Sequence, residues 1–85
     1  MKIQPEELKA ARNRLVRVQG QIAGIVKMLD EGRDCTDLLT QLAAASTALN
    51  RAGFAIFATG MQHCGSDEAG SKNREALEKA FMSLA

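Results

Sequence analysis

The chain has 85 residues, enough for one domain over residues 1–85, and a fold of that size buries only about 60% of the surface its unfolded chain exposes. Its 46% hydrophobic content excludes a disordered chain, and a formal net charge of +1 says nothing about partners until its distribution is read. The polar start MKIQPEELKAARNR holds no secretory apolar segment and the most apolar stretch, AGFAIFATGM, is too short for a bilayer, so a cytosolic protein without a membrane partner is expected.

One Pro, no Trp or Tyr, and many Ala, Leu, Gln and Lys predict an all-α fold. Pro5 suits the first turn of a helix, and Glu6 and Glu7 suit the positive end of its dipole. Leu8, Ala11, Leu15, Val18, Ile22, Ile25 and Leu29 then recur at spacings of three and four, one apolar seam with a period of about 3.5 residues. Gly32 ends this helix. Asp34 can cap a second helix, in which Leu38, Leu42, Ala45, Leu49, Ala52 and Ile56 repeat the spacing until the chain nears Cys64. GSDEAGS reads as a turn-rich linker, and a short third helix follows with Leu77, Phe81 and Leu84 on one side.

Two long antiparallel helices with so small an appendage cannot cover both seams and the flanking Leu39, Phe54 and Phe57. Other copies must cover them, so an antiparallel dimer is expected over a monomeric three-helix domain. The cysteines support this. Cys35 and Cys64 are the only two, at opposite ends of the second helix, about 43 Å apart at 1.5 Å per residue. A disulfide requires Cα atoms within about 7 Å, so they cannot pair within one chain. If two copies of the helix pack antiparallel about an axis between Leu49 and Asn50, residue i faces residue 99 − i, and Cys35 of each chain faces Cys64 of the other. Buried, inert cysteines are the bland alternative. Cys35, at a helix N-terminus beside Arg33, is the better placed of the two as an attacking thiol, although Asp34 and Asp37 oppose this.

Residues 11 to about 64, with RLVRVQGQ beside CTDLLTQ and a later HC, resemble the CsoR/RcnR-type repressors, a family of copper, nickel/cobalt, formaldehyde and persulfide sensors. The resemblance implies a dimer-of-dimers tetramer that holds double-stranded operator DNA and releases it when an effector occupies the cysteine site. Copper sensors of the family add a His four residues before the second Cys and a Tyr before the first. Here those positions are Gly60 and Asp34, and Gly60 is expected to leave room beside the Cys64 thiol. His63 precedes Cys64 but lies about 100° around the helix from it. The nickel/cobalt branch needs more His than the single one present, and the formaldehyde branch a Pro where Lys2 stands. Two facing thiols without a metal-ligand set resemble the persulfide-sensing branch. The expectation is therefore a repressor, not an enzyme, with no cofactor, in which reactive sulfur species cross-link Cys35 and Cys64. The alternative is a Cu(I) sensor using Cys35, Cys64 and His63. A thiol-redox or sulfur-transfer enzyme is disfavoured by the missing CxxC and general base, and a helical scaffold with inert cysteines is the remaining reading.

Between positions 9 and 27 the charges are Lys9, Arg12, Arg14, Arg17 and Lys27, without one acid. Such a helix suits DNA phosphates, or is simply a solvated face. The resemblance carries Arg14 and Arg51 to DNA contact, together with Arg17 and Gln19–Gln21. With no helix-turn-helix signature, duplex DNA is expected to meet a flat basic surface that includes Lys9, Arg14, Arg17, Gln21 and Arg51.

Overall fold

Pro5 opens a 3-10 turn over Pro5–Leu8, and α1 runs from Lys9 to Asp30 in the computed structural model, which describes residues 1–84. The α-helix thus starts one turn later than the position of Pro5 predicts. α1 ends on Gly32, whose φ of 69° is the left-handed conformation that costs a glycine least. The N–H of Gly32 then reaches the carbonyl of Leu29 at 3.1 Å, and that of Arg33 reaches Met28 at 3.0 Å.

α2 spans Cys35–Gln62 without a break. Asp34 caps it, its carboxylate accepting from the backbone N–H of Thr36 at 3.0 Å. α3 spans Glu68–Met82, four turns where the sequence predicts a short helix. The residues EAGS, expected in a linker, form its first turn, because Asp67 caps it through the N–H of Gly70 at 2.8 Å. The loop before it is closed tightly. A Cβ at Gly70 would overlap the carbonyl of Gly65, and the Arg74 guanidinium donates to that same carbonyl at 3.4 Å. Among the described residues there is no strand, so the fold is all-α with three helices.

α1 and α2 form an antiparallel hairpin whose Cα extents, with α3, are 55 × 25 × 13 Å. The buried apolar side chains are small: Ala11 and Val18 of α1, Ala45 and Ala52 of α2. The continuous seams read from the sequence therefore divide. Their Ala and Val members face each other inside the hairpin, while Leu15, Ile22 and Leu29 of α1 and Leu42, Leu49 and Ile56 of α2 remain exposed. Leu15, Ile22, Leu49 and Ile56 lie four after a buried residue, and Leu29 and Leu42 four after the half-buried Ile25 and Leu38, about 40° further around; antiparallel helices turn equal offsets to the same side. One side of the hairpin is thus apolar. α3 lies antiparallel along the C-terminal half of α2 at the outer edge of that side. Its Leu84 sits over Gly53 and its Leu77 over Gly60, while Phe81 stacks on Phe57 with ring centroids 4.5 Å apart.

Candidate functional site

Cys35 is the first residue of α2 and is exposed; Cys64 lies two residues beyond its end and is half-buried. An unbroken α2 of 28 residues keeps them roughly 40 Å apart at 1.5 Å per residue, so no protomer can join its own thiols. Continued as an ideal helix, twenty-nine steps of about 100° would return to within about 20° of the same face, while Cys64 itself lies just past the last helical turn. The Cys64 thiol donates to the carbonyl of Gly60 at 3.6 Å, and its backbone N–H reaches Met61 at 3.2 Å. Both bonds tie Cys64 to the last turn of α2.

Two residues beside the thiols are engaged elsewhere in the protomer. The absence of a side chain at Gly60, expected to open space next to Cys64, is instead used by Leu77. Gly60 is buried, and a Cβ there would lie 3.1 and 3.2 Å from the two terminal carbons of Leu77. A side chain of α3 thus occupies the place that a side chain at position 60 would take. His63 is exposed and turned away, its Nε2 pairing with the carboxylate of Glu7 in the N-terminal 3-10 turn. Among the described residues no three of His, Cys, Asp and Glu come together within a protomer. A metal at these thiols would draw on two protomers, and two thiolates are a donor set that suits soft Cu(I).

The opposite side of the hairpin is basic. Arg14, Arg17 and Gln21 of α1 and Arg51 of α2 converge on one cleft of about 640 Å³ whose floor includes Ala44 and Ala48. The small floor residues let the guanidinium groups from both helices surround one hollow. Arg14 and Arg51 also line a neighbouring hollow with Asn50 and Phe54. Among the described residues none of the three arginines is ion-paired, and α1 contains no acid before Asp30. Lys9 begins α1 but does not line the cleft. Asn50 and Thr47 line the second hollow and are not evident from charge, because the run of basic residues lies on α1 alone. Their signal is the period of α2: Thr47 and Asn50 precede Arg51 by four and one.

Comparison with known proteins follows the same lines. A family model described as a metal-sensitive transcriptional repressor matches residues 7–84. The copper-sensing transcriptional repressor RicR of Mycobacterium tuberculosis is 39% identical over 51 residues, which are 60% of this chain and 53% of that protein. The copper-sensing transcriptional repressor CsoR of Bacillus subtilis is 33% identical over 63 residues, 74% of this chain and 62% of that protein. The uncharacterized protein YrkD of Bacillus subtilis is 40% identical over 52 residues, 61% of this chain and 70% of its own. The chain thus spans between half and two thirds of the length of the two copper sensors. No solved structure matches it. These matches overturn the expectation that the protein works without a metal, since the family is described by its response to metal and two relatives are named for copper. With a match that runs from residue 7 to residue 84, the chain belongs to the metal-sensitive transcriptional repressor family.

Proposed function

We propose that the protein is a cytosolic repressor that holds double-stranded operator DNA through its basic side and releases it when Cu(I) is bound by Cys35 of one protomer and Cys64 of another. The observation that carries this reading is the placement of the two free thiols at the two ends of one unbroken helix, Cys35 as its first residue and Cys64 two residues past its last. An antiparallel pairing of that helix with a second copy brings the thiols together twice, once at each end. The exposed apolar side, Leu15, Ile22 and Leu29 with Leu42, Leu49 and Ile56, supplies the contact that such a dimer needs, and a tetramer of two dimers covers what one dimer leaves open. The names of the two copper-sensing relatives support Cu(I) as the effector.

When bound, Cu(I) supplies a bond between the two protomers' sulfurs. The chain's own residues do the rest. The Gly60 carbonyl accepts from the Cys64 thiol and so orients its sulfur. Asp34 fixes the start of α2 and with it Cys35. Arg14, Arg17, Gln21 and Arg51 offer phosphate and groove contacts on the other side of the hairpin. Lys9 adds charge near that surface without sharing the cleft.

The experiment is DNA binding to the duplex upstream of the chain's own coding sequence, titrated anaerobically with Cu(I). Release at about one Cu(I) per protomer, lost in Cys35→Ala and in Cys64→Ala, supports the reading. Release by a low-molecular-weight persulfide but not by Cu(I) would replace it with reactive sulfur as effector. That second reading is favoured by the lack of a third ligand within the protomer.

A further inference from the structure

His63 is the only histidine of the chain, and it stands next to Cys64. Imidazole beside thiolates is a donor set that Zn(II) takes readily, two cysteines and one histidine holding it with a water. The structure gives this ring another partner. Its Nε2 meets the carboxylate of Glu7, 56 positions earlier in the chain. An ionised carboxylate only accepts, so Nε2 donates and offers no lone pair to a metal.

The chain brings Glu7 there on an ordered element. Antiparallel packing sets the start of α1 beside the end of α2. Pro5 opens the 3-10 turn, and the N–H of Glu7 closes it on the carbonyl of Gln4 at 3.0 Å. Glu6, the neighbouring acid, pairs with no cation among the described residues, so the contact belongs to position 7 and not to acidity at this end in general. His63 in turn caps α2 and does not lie inside it. Its N–H reaches the carbonyl of Gly60 at 3.0 Å, and that of Cys64 reaches Met61 at 3.2 Å, both only three residues back. The two adjacent side chains are therefore not held to the spacing of a regular helix. With Cα atoms of neighbours about 3.8 Å apart, an unpaired ring at His63 is free to turn toward the thiol beside it.

We infer that Glu7 is a specificity-determining residue of the thiol site: by holding Nε2 of His63 it keeps the donors to sulfur, which suits Cu(I), and withholds the imidazole that Zn(II) or Co(II) would use. This role rests on the copper site shared between Cys35 and Cys64 proposed above. Exposure limits its size. Both partners of the pair are exposed, and such a pair is worth a factor of about five at most. The apparent affinity for a metal that needs the ring falls by the fraction of molecules in which the ring is free. Glu7 thus biases the choice of metal without making it absolute.

The test is an anaerobic titration of the reduced chain with Co(II), whose thiolate charge-transfer and visible ligand-field absorption report the donors around it. Glu7→Ala should bind Co(II) about fivefold more tightly than the wild type, with its visible bands moved by the added nitrogen. Glu7→Ala/His63→Ala should return to the wild-type affinity and spectrum, and Glu6→Ala should never leave them. The Cu(I) affinity of Glu7→Ala, measured by competition with bicinchoninate, should rise less than its Co(II) affinity. No gain in Co(II) affinity, a gain that survives His63→Ala, or an equal gain for Cu(I) overturns the inference. A weaker Co(II) site in Glu7→Ala also overturns it, because Glu7 would then orient a ligating His63 instead of withholding it. The copper site is judged separately on the otherwise unmodified chain. If Cu(I) binding is lost in Cys35→Ala and in Cys64→Ala while Glu7→Ala gains nothing, the copper site stands and the role of Glu7 falls. If Cu(I) binds as well without either cysteine, both fall.

Discussion

Arg14 and Arg51 come from different helices, yet they line the same two hollows, so replacing both should affect one property together. Removing one phosphate partner lowers the slope of log K against log salt by about 0.9, and the double substitution therefore lowers it by about 1.8 for every protomer on the DNA. Over a roughly fourfold rise in salt, a slope change of about 0.9 makes the fall in affinity about 3.5-fold smaller, and one of about 1.8 makes it about twelvefold smaller. The measurement is fluorescence anisotropy of a labelled duplex titrated with Arg14→Ala/Arg51→Ala at several salt concentrations. Arg12→Ala is the control, because it removes the same charge from α1 at a position that does not line the cleft. Its slope should match the wild type. Circular dichroism and light scattering should show both variants folded and assembled, since all three side chains are exposed. An equal fall in slope for Arg12→Ala would mean that only total charge matters and that the cleft has no special part. A wild-type slope in the double variant would remove DNA from this side altogether.

The glycines make opposite predictions: Gly24→Ala, with nothing within 4 Å of the new Cβ, should stabilise by about 1 kcal/mol, while Gly70→Ala, which drives a Cβ into the Gly65 backbone, should destabilise by about 1–3 kcal/mol in urea titrations. Leu49→Glu should dissociate the assembly, because Leu49 is exposed on the apolar side; Ala45→Glu should instead unfold the protomer, because Ala45 is buried against α1. Sedimentation and circular dichroism separate the two, and a folded monomer from Ala45→Glu would show that Ala45 does not belong to the hairpin's interior. His63→Ala should still release DNA on Cu(I) addition, since His63 pairs with Glu7 and not with the thiols; loss of release would make it a ligand.

Periodicity locates α1 and α2 because their apolar residues repeat for seven turns or so, and the Gly32 stop and the Asp34 cap are local chemistry that needs no tertiary information. Which seam residues turn inward is not legible in the sequence. A 3.5-residue repeat gives one stripe, and only the close approach allowed by Ala11, Ala45 and Ala52 separates an inner line from an outer one. Composition makes α3 too short because GSDEAGS is rich in turn formers, whereas the Asp67 cap converts its second half into a first helical turn. The thiol spacing can be read from numbers alone. What occupies the space at Gly60 cannot, because Leu77 arrives from 17 residues away along an element whose docking the sequence leaves open. Arg14, Arg17, Gln21 and Arg51 are all visible in the sequence, and only the hairpin's register separates them from Lys9.

The thin interior of the hairpin has a consequence for how the protein is maintained. Three alanines and one valine are the buried apolar side chains among the described residues, and each buried methylene contributes only about 0.8 kcal/mol. A lone chain therefore has little holding it against its conformational entropy, and most of its leucines and isoleucines stay exposed in it. Folding and association become a single mass-action equilibrium, so the melting temperature should climb with concentration. In the proposed assembly, chains made in small numbers would stay open to proteolysis until they meet, which sets an abundance below which little folded protein accumulates.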